Sequence, residues 1–184
     1  MKRIVLCSLL CLGLVNTVLA LDAIEIFSGY MNADLKSQHK YEVIPLFLSF
    51  DFDAKSAFSK IGFNPKGDLN FVVEPFINTV VQPDRNIEVG SNFLVKYGYR
   101  LTDNLHPYFK IGVGAVYMTQ HTEEQSTQFN FVPQTGAGVH YFIKENIALS
   151  FEYRLRHLSN CSINQPNNGI DAELFLAGVA LFFK

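Results

Sequence analysis

The sequence predicts an all-β protein, specifically an eight-stranded antiparallel transmembrane β-barrel. Apolar and polar residues alternate with a period of two over stretches of about ten residues or more, whereas soluble strands usually have about five or six. No apolar run after residue 20 approaches the roughly 20 residues that a membrane-spanning helix needs. Such long alternation favours strands that show one face to lipid and the other to a polar interior.

The N-terminal segment 1–20 is predicted to be a secretory signal sequence. A positively charged start precedes an apolar run over 4–14, and Val18 and Ala20 supply small residues at a cleavage site. A single membrane anchor is the alternative, but the apolar run is shorter than a span requires. We therefore expect an exported protein with one mature barrel domain, residues 21–184.

Eight segments carry the strand pattern, and it is clearest in the fourth, sixth and seventh. The segments are about 23–33, 41–53, 68–79, 86–101, 105–119, 127–143, 146–158 and 170–183. In the three clearest segments the apolar members are Ile87, Val89, Phe93, Val95, Tyr97, Tyr99 and Leu101; Phe129, Phe131, Ala137, Val139, Tyr141 and Ile143; and Ile147, Leu149, Phe151, Tyr153 and Leu155.

The connections between the segments differ in length in the way that outer-membrane barrels require. Residues 102–104 and 144–146 form short connections, while 120–126 and 159–169 are longer and more polar. Short periplasmic turns and longer outer loops are typical of these barrels. On this interpretation the stretch 54–67 is a long connection on the inner side.

Charged residues at the polar positions favour a barrel over the alternative fold, a soluble β-sandwich. Inside a closed barrel such residues can pair with one another, whereas a sandwich core accommodates them poorly. Eight strands leave an interior just wide enough for side chains, so we expect no conducting pore and look for function on the exterior or in the loops. The predicted interior charges are Glu25, Asp51, Glu74, Lys96, Arg100, Lys110, Glu152 and Arg154.

Charge and cysteine content restrict the partners further. The mature domain keeps all 17 acidic residues but loses two of the 15 basic ones with the signal, so it is net acidic. A nucleic-acid partner is not expected, because binding would need a basic face. Of the three cysteines only Cys161 remains, so no intramolecular disulfide is expected despite an oxidising destination.

The stretch 156–160, followed by 165–171, is the most informative for function. His157 and Ser159 are two residues apart in an extended segment, so they project to the same face. They continue the odd-numbered apolar set of 146–158, which predicts that both face the membrane near the outer rim. Lipopolysaccharide occupies the outer leaflet at that level.

This pair suits nucleophilic acyl transfer, in which Ser159 needs His157 to accept its proton. An acid should hold the imidazole, and Asp171, returned by a turn-rich loop, is the candidate; Glu173, on the same face of its strand, is the alternative acid. Asn160 is the candidate for the oxyanion hole, through its side chain or nearby backbone N–H groups. By themselves, a histidine and a serine at this level are also compatible with solvated rim residues.

The residues His157-Leu158-Ser159-Asn160 are followed by Gln165-Pro166-Asn167-Asn168-Gly169-Ile170 and an acid. This combination resembles the signature of the lipid A 3-O-deacylase (PagL) family, which are eight-stranded outer-membrane barrels with a Ser-His-acid triad. Less specific similarity covers Val73-Glu74-Pro75, Pro107-Tyr108, Gly112-Val113-Gly114 and 129–141.

The resemblance implies removal of the 3-O-linked 3-hydroxyacyl chain from lipid A. It assigns Ser159 as nucleophile, His157 as base and Asn160 to the oxyanion hole, with no metal or other cofactor. This chain departs from the family pattern twice: Asp171 stands where the family typically has Glu, and Cys161-Ser162 replaces a small Ala-Gly pair.

Two other functions remain open at this point: a non-catalytic structural or adhesive barrel, and an outer-membrane phospholipase. The expected partners are lipopolysaccharide as substrate and the outer membrane itself. The sequence leaves open whether two copies associate as a homodimer, and it does not indicate the preferred acyl-chain length.

Overall fold

The computed structural model describes residues 19–35, 40–60 and 62–183. Eight strands and one short helix, α1 (Lys55–Ser59), make up its regular structure. The strands are β1 (Leu21–Ala33), β2 (Tyr41–Asp53), β3 (Asp68–Gln82), β4 (Asn86–Gly98), β5 (Leu105–Met118), β6 (Phe129–Lys144), β7 (Ile147–Leu158) and β8 (Ile170–Phe182).

Each strand is antiparallel to the next, and β8 pairs with β1 to close the barrel. This confirms the predicted all-β class and the eight-stranded antiparallel barrel. Closure matters physically because it leaves no strand edge unpaired. An unpaired edge would expose unsatisfied backbone N–H and C=O groups to the bilayer, at a high cost in free energy. The described residues contain no helix with the length and apolar character needed to cross a membrane.

The alternation in sequence becomes an alternation between exterior and interior. Along β7 the even-numbered residues are buried and the odd-numbered ones from Leu149 onward are exposed. The exposed set is apolar over most of the wall, as expected of a surface that faces lipid.

The interior is filled by ion pairs rather than by an apolar core alone. Arg154 Nη1 lies 2.6 Å from Glu74 Oε1, and Lys96 pairs with both Glu25, at 2.7 Å, and Asp51. These side chains are almost fully buried, and a buried charge is strongly destabilising unless it is paired and hydrogen-bonded. The interior pairs therefore keep the strand register fixed.

The interior also shows one error in the sequence prediction and two omissions. Arg100 lies beyond the end of β4, where it is exposed and bonds Asp103 at 2.6 Å, so it is not an interior charge. Glu88 and Arg156, by contrast, form an additional interior pair at 2.9 Å.

The two ends of the barrel differ. The turn end carries 99–104, 145–146 and the connection that contains α1, while the loop end carries 119–128 and 159–169. Helix α1 was not predicted, because five residues are too few to show a helical period. The predicted signal sequence lies outside the described residues except for 19 and 20, so its cleavage stays a prediction.

Candidate active site

His157 and Ser159 lie where β7 reaches the loop end, on the exterior wall. The residues that alternate with them, Leu158 and Asn160, are buried on the other side of the strand. Ser159 is held against β6 by two backbone hydrogen bonds, donated by Phe131 N–H at 2.7 Å and by its own N–H to Phe131 O at 3.0 Å. The backbone of Ser159 is therefore fixed although β7 itself ends at Leu158.

The register of β7 and β8 places His157 directly opposite Asp171. His157 Nδ1 lies 2.6 Å from Asp171 Oδ1, and the two side chains are 44% and 88% exposed. This contact fixes the plane of the imidazole and leaves Nε2 as the ring nitrogen that can exchange a proton with a substrate or nucleophile.

Gly169 lies against the same ring. A Cβ at this position would be 2.5 Å from His157 Cε1 and 3.1 Å from Nε2. Its φ of +75° is a conformation that glycine adopts without penalty. The half-exposed imidazole thus contacts a carboxylate and a bare backbone segment.

The side chains of Ser159 and His157 are not hydrogen-bonded to each other. Within the described part of the chain, the Ser159 hydroxyl makes no hydrogen bond. Residues two apart in a strand are separated by about 7 Å along its axis, so the hydroxyl and Nε2 meet only when both side chains lean together. Catalytic hydrogen bonds of this kind are often long in ligand-free enzymes and shorten with substrate.

Asn160 connects the two outer loops. Its N–H donates to Asn167 Oδ1 at 2.9 Å, and its side-chain amide donates to Asn164 O at 3.0 Å and to Ser126 Oγ at 3.2 Å. Both amide hydrogens of the side chain are therefore used inside the loops. Through these hydrogen bonds the buried Asn160 side chain stabilises the conformation of 159–169.

Cys161 and Ser162 follow with φ values of 54° and 60°. Their N–H groups have no acceptor among the residues that the structure describes. Two consecutive backbone donors thus remain available close to Ser159.

Loop 119–128 packs on 159–169, a contact that sequence reasoning missed. Ser126 N–H donates to Pro166 O at 3.0 Å, and Asn168 N–H donates to Glu124 O at 2.9 Å. Nothing in the sequence pattern of 119–128 distinguishes these residues, because the contact depends on how the barrel brings two distant loops together.

Glu173, the alternative acid, lies one row further from the loop end. It is opposite Leu155 rather than His157, and its carboxylate lies near the Tyr153 hydroxyl. The structure thus brings together His157 and Asp171 but not His157 and Glu173.

An open cavity of about 810 Å³ lies along the exterior wall beside this pair. Its lining includes His157 and Asp171, and it extends across β8 to residues of β1 and β2 such as Asn32 and Glu42. A volume of this size falls within the range of about 300–1,000 Å³ typical of small-molecule sites. Among the described ranges, no cluster of three or more His, Cys, Asp or Glu side chains is arranged to hold a metal ion.

Comparison with known proteins adds a family match and several similar folds. A family model described as "Lipid A 3-O-deacylase (PagL)" matches residues 44–180. A crystal structure of the outer membrane enzyme PagL is 18% identical, with a TM-score of 0.64 over 85% of this chain and 97% of that one. No sequence among the curated proteins matches.

Two further barrels share the fold at lower identity. Neisserial surface protein A (NspA) is 13% identical, with a TM-score of 0.61 over 91% of this chain and 100% of that one. The N-terminal β-barrel domain of Pseudomonas aeruginosa OprF is 12% identical, with a TM-score of 0.52 over 89% of this chain and 98% of that one. At these identities the likeness concerns the fold.

Proposed function

Because this chain belongs to the lipid A 3-O-deacylase (PagL) family, we propose that it is an outer-membrane hydrolase that removes the 3-O-linked 3-hydroxyacyl chain of lipid A. The observation that carries the proposal is the His157–Asp171 pair beside Ser159 on the exterior wall. Residues placed there meet a lipid that approaches sideways within the outer leaflet. The loop end is accordingly the outer end of the barrel.

In the proposed reaction, Ser159 attacks the carbonyl carbon of the 3-O-acyl ester while His157 Nε2 takes the hydroxyl proton. The tetrahedral intermediate collapses, the sugar 3-oxygen leaves as a hydroxyl with that proton, and the acyl group stays on Ser159. Water, deprotonated by His157, then attacks the acyl-enzyme and releases a 3-hydroxy fatty acid.

Asp171 is our candidate for the triad acid. Its 2.6 Å contact with Nδ1 supports the role, since an acid in this position fixes the tautomer and stabilises the imidazolium that forms during the reaction. The shorter side chain, compared with the typical glutamate of the family, is compensated by the direct cross-strand register of His157 and Asp171. Glu173, which is opposite Leu155, would have to shift by a row to replace it.

Asn160 remains our candidate for the oxyanion hole, and its hydrogen bonds suggest two routes. One side-chain N–H can exchange its loop acceptor for the oxyanion, or Asn160 can hold 159–169 so that the N–H groups of Cys161 and Ser162 reach it. The second route is supported by the absence of acceptors for those two donors in the described residues. Losing one oxyanion donor costs about 3–4 kcal/mol of transition-state stabilisation.

The decisive experiment is mass spectrometry of lipid A from cells that express the protein, compared with Ser159→Ala and His157→Ala. Wild type should remove one hydroxyacyl mass and both variants should not, while all remain folded, heat-modifiable barrels. Ser91→Ala is the matched control, since Ser91 is an exterior serine on β4, away from the site. Full activity in Ser159→Ala would exclude the mechanism.

Hydrolysis assays on the purified protein distinguish the other candidate functions. Release of fatty acid from glycerophospholipid but not from lipid A would favour a phospholipase. An unchanged lipid A spectrum together with no hydrolysis of either lipid would favour a structural or adhesive barrel.

A further inference from the structure

The exterior wall is chemically uneven in its outer half. Among the described strands, the lipid-facing positions of that half carry ionisable side chains other than tyrosine at Glu42, His157, Asp171 and Glu173. All four lie on β2, β7 and β8, on one side of the barrel. If these ionisable residues served only to solvate the rim, they would be spread around the whole barrel. Their clustering on one side therefore has a local cause.

Strand register places these residues in continuous rows around the wall. Glu173 on β8 is opposite Asn32 on β1, and Asn32 is opposite Glu42 on β2. Because neighbouring strands are about 4.8 Å apart, the row from Glu173 to Glu42 is about 10 Å long. His157 and Asp171 occupy the adjacent row nearer the loop end. We call Tyr30, Asn32, Glu42 and Glu173 the polar shelf.

The polar shelf and the proposed catalytic pair line the same cavity of about 810 Å³. The cavity thus spans the wall from residues 133–135 of β6, across β7, β8 and β1, to Lys40 and Glu42 at the start of β2. A substrate whose ester lies at Ser159 would place the atoms next to that ester on the shelf.

The shelf presents acceptors and aromatic surface. The Glu42 carboxylate lies near the Tyr30 hydroxyl and pairs with Lys40 Nζ at 3.6 Å, and the Glu173 carboxylate lies near the Tyr153 hydroxyl, which leaves further lone pairs on each carboxylate. The Asn32 amide lies between them with both donors and an acceptor. Carboxylates facing a bilayer cost free energy, so they are retained at such a position more readily if they meet a polar ligand.

Aromatic and apolar side chains adjoin the shelf on the side of the membrane centre. Phe175 is opposite Tyr30 in the register and packs on Tyr153 with ring centroids 5.1 Å apart. The apolar wall continues below it through Val179 and Leu181. A ligand seated here would have a polar ring level with the shelf and apolar chains along the wall.

We propose that the polar shelf is the binding subsite for the amino-sugar ring of an acylated glucosamine, whose hydroxyl and amide hydrogens are donated to Glu42, Glu173 and Asn32. This rests on the proposed function, because it places the ring relative to the ester at Ser159. The shelf carries carboxylates and an amide, so it favours a sugar whose hydroxyl and amide hydrogens lie next to the acyl ester over a glycerophospholipid, whose acylated glycerol carries no N–H or O–H group beside its esters.

The test compares two lipids on shelf variants. Asn32→Ala and Glu42→Gln are each assayed in detergent micelles with 2,3-diacylglucosamine 1-phosphate and with a simple 3-hydroxyacyl ester that lacks a sugar. The ratio of kcat/KM for the glycolipid to that for the simple ester should fall about tenfold, the effect of one lost hydrogen bond to a charged group. Tyr117→Phe is the matched control: it removes an exterior hydroxyl, bonded to Gln128 at 2.9 Å, from β5 on the opposite wall.

A binding measurement separates this proposal from the proposed reaction. In a Ser159→Ala background, Asn32→Ala should weaken binding of 2,3-diacylglucosamine 1-phosphate about tenfold and leave binding of a phosphatidylglycerol probe unchanged. If wild type hydrolyses no ester but this difference in binding appears, the reaction is wrong and the subsite stands.

If wild type is active and the shelf variants keep both the wild-type kcat/KM ratio and the wild-type affinity for 2,3-diacylglucosamine 1-phosphate, the subsite is wrong and the reaction stands. An equal loss toward both lipids in folded, heat-modifiable protein would also overturn the subsite. Glu42→Gln, which preserves side-chain shape, keeps the test valid if Asn32→Ala folds poorly.

Discussion

Gly169→Ala should inactivate the protein while leaving the barrel folded. The added Cβ would lie 2.5 Å from His157 Cε1 and 3.1 Å from Nε2. Carbon atoms pack at about 3.5–4.0 Å, so relieving the closer contact moves the ring or the loop by about 1 Å. That movement must disturb the 2.6 Å contact between His157 and Asp171.

The two effects of the substitution differ greatly in size. An alanine held at a left-handed φ costs about 1–2 kcal/mol of stability, which a barrel with paired strands throughout can absorb. A misplacement of about 1 Å in a catalytic group lowers the rate about 100-fold. We therefore expect kcat for release of 3-hydroxy fatty acid to fall about 100-fold, with a normal heat-modifiable band on gels.

Gly62→Ala is the matched control for backbone strain. Gly62 has a φ of +85°, and apart from Gly62 and its chain neighbours the described residues place no atom within 4 Å of the position that a Cβ would take. It lies at the turn end, far from His157. The reasoning is refuted if folded Gly169→Ala keeps wild-type kcat, or if Gly62→Ala loses as much activity as Gly169→Ala.

Three further predictions follow from the contacts. Asp171→Asn should lower kcat by about 100-fold or more, while Glu173→Gln should mainly raise KM for a glycolipid. Steady-state kinetics at constant micelle composition measures both effects. The reverse pattern would make Glu173 the acid. Arg154→Leu removes the buried cation that pairs with both Glu74 and Glu152 and should destabilise the barrel by about 3–5 kcal/mol, seen as a lower thermal unfolding midpoint; an unchanged midpoint contradicts it. Asn160→Ala should lower kcat and make 159–169 more sensitive to protease, and protection equal to wild type would argue against a loop-fixing role.

Most of the fold could be predicted because alternation in sequence reports directly on the two faces of a strand. Interior and exterior sets were recognisable in β4, β6 and β7 from single residues such as Ile87 and Lys96. Strand ends were less accurate: β3 continues to Gln82, three residues beyond its predicted end, and β4 stops at Gly98 rather than at 101. Where a strand ends depends on its partner strand and on the turn between them, and the residue pattern of one strand predicts neither.

The candidate site was predictable only in part. Parity along one strand was enough to expect His157 and Ser159 on the exterior. Choosing between Asp171 and Glu173 requires the register of β7 against β8, and both faces of β8 are apolar, so its own pattern cannot supply it. The contact of Gly169 with the His157 ring and the hydrogen bond from Asn160 to Ser126 depend on loop conformation. The alternation of apolar and polar residues does not predict that conformation.

The location of His157 and Ser159 on the outer surface of the wall has a kinetic consequence for the proposed reaction. A substrate embedded in the same leaflet reaches them by lateral diffusion, so turnover follows the mole fraction of glycolipid in the plane rather than its bulk concentration. Diluting that lipid with an inert one at fixed total amount should slow hydrolysis, whereas adding more vesicles of the same composition should not speed up each bound enzyme.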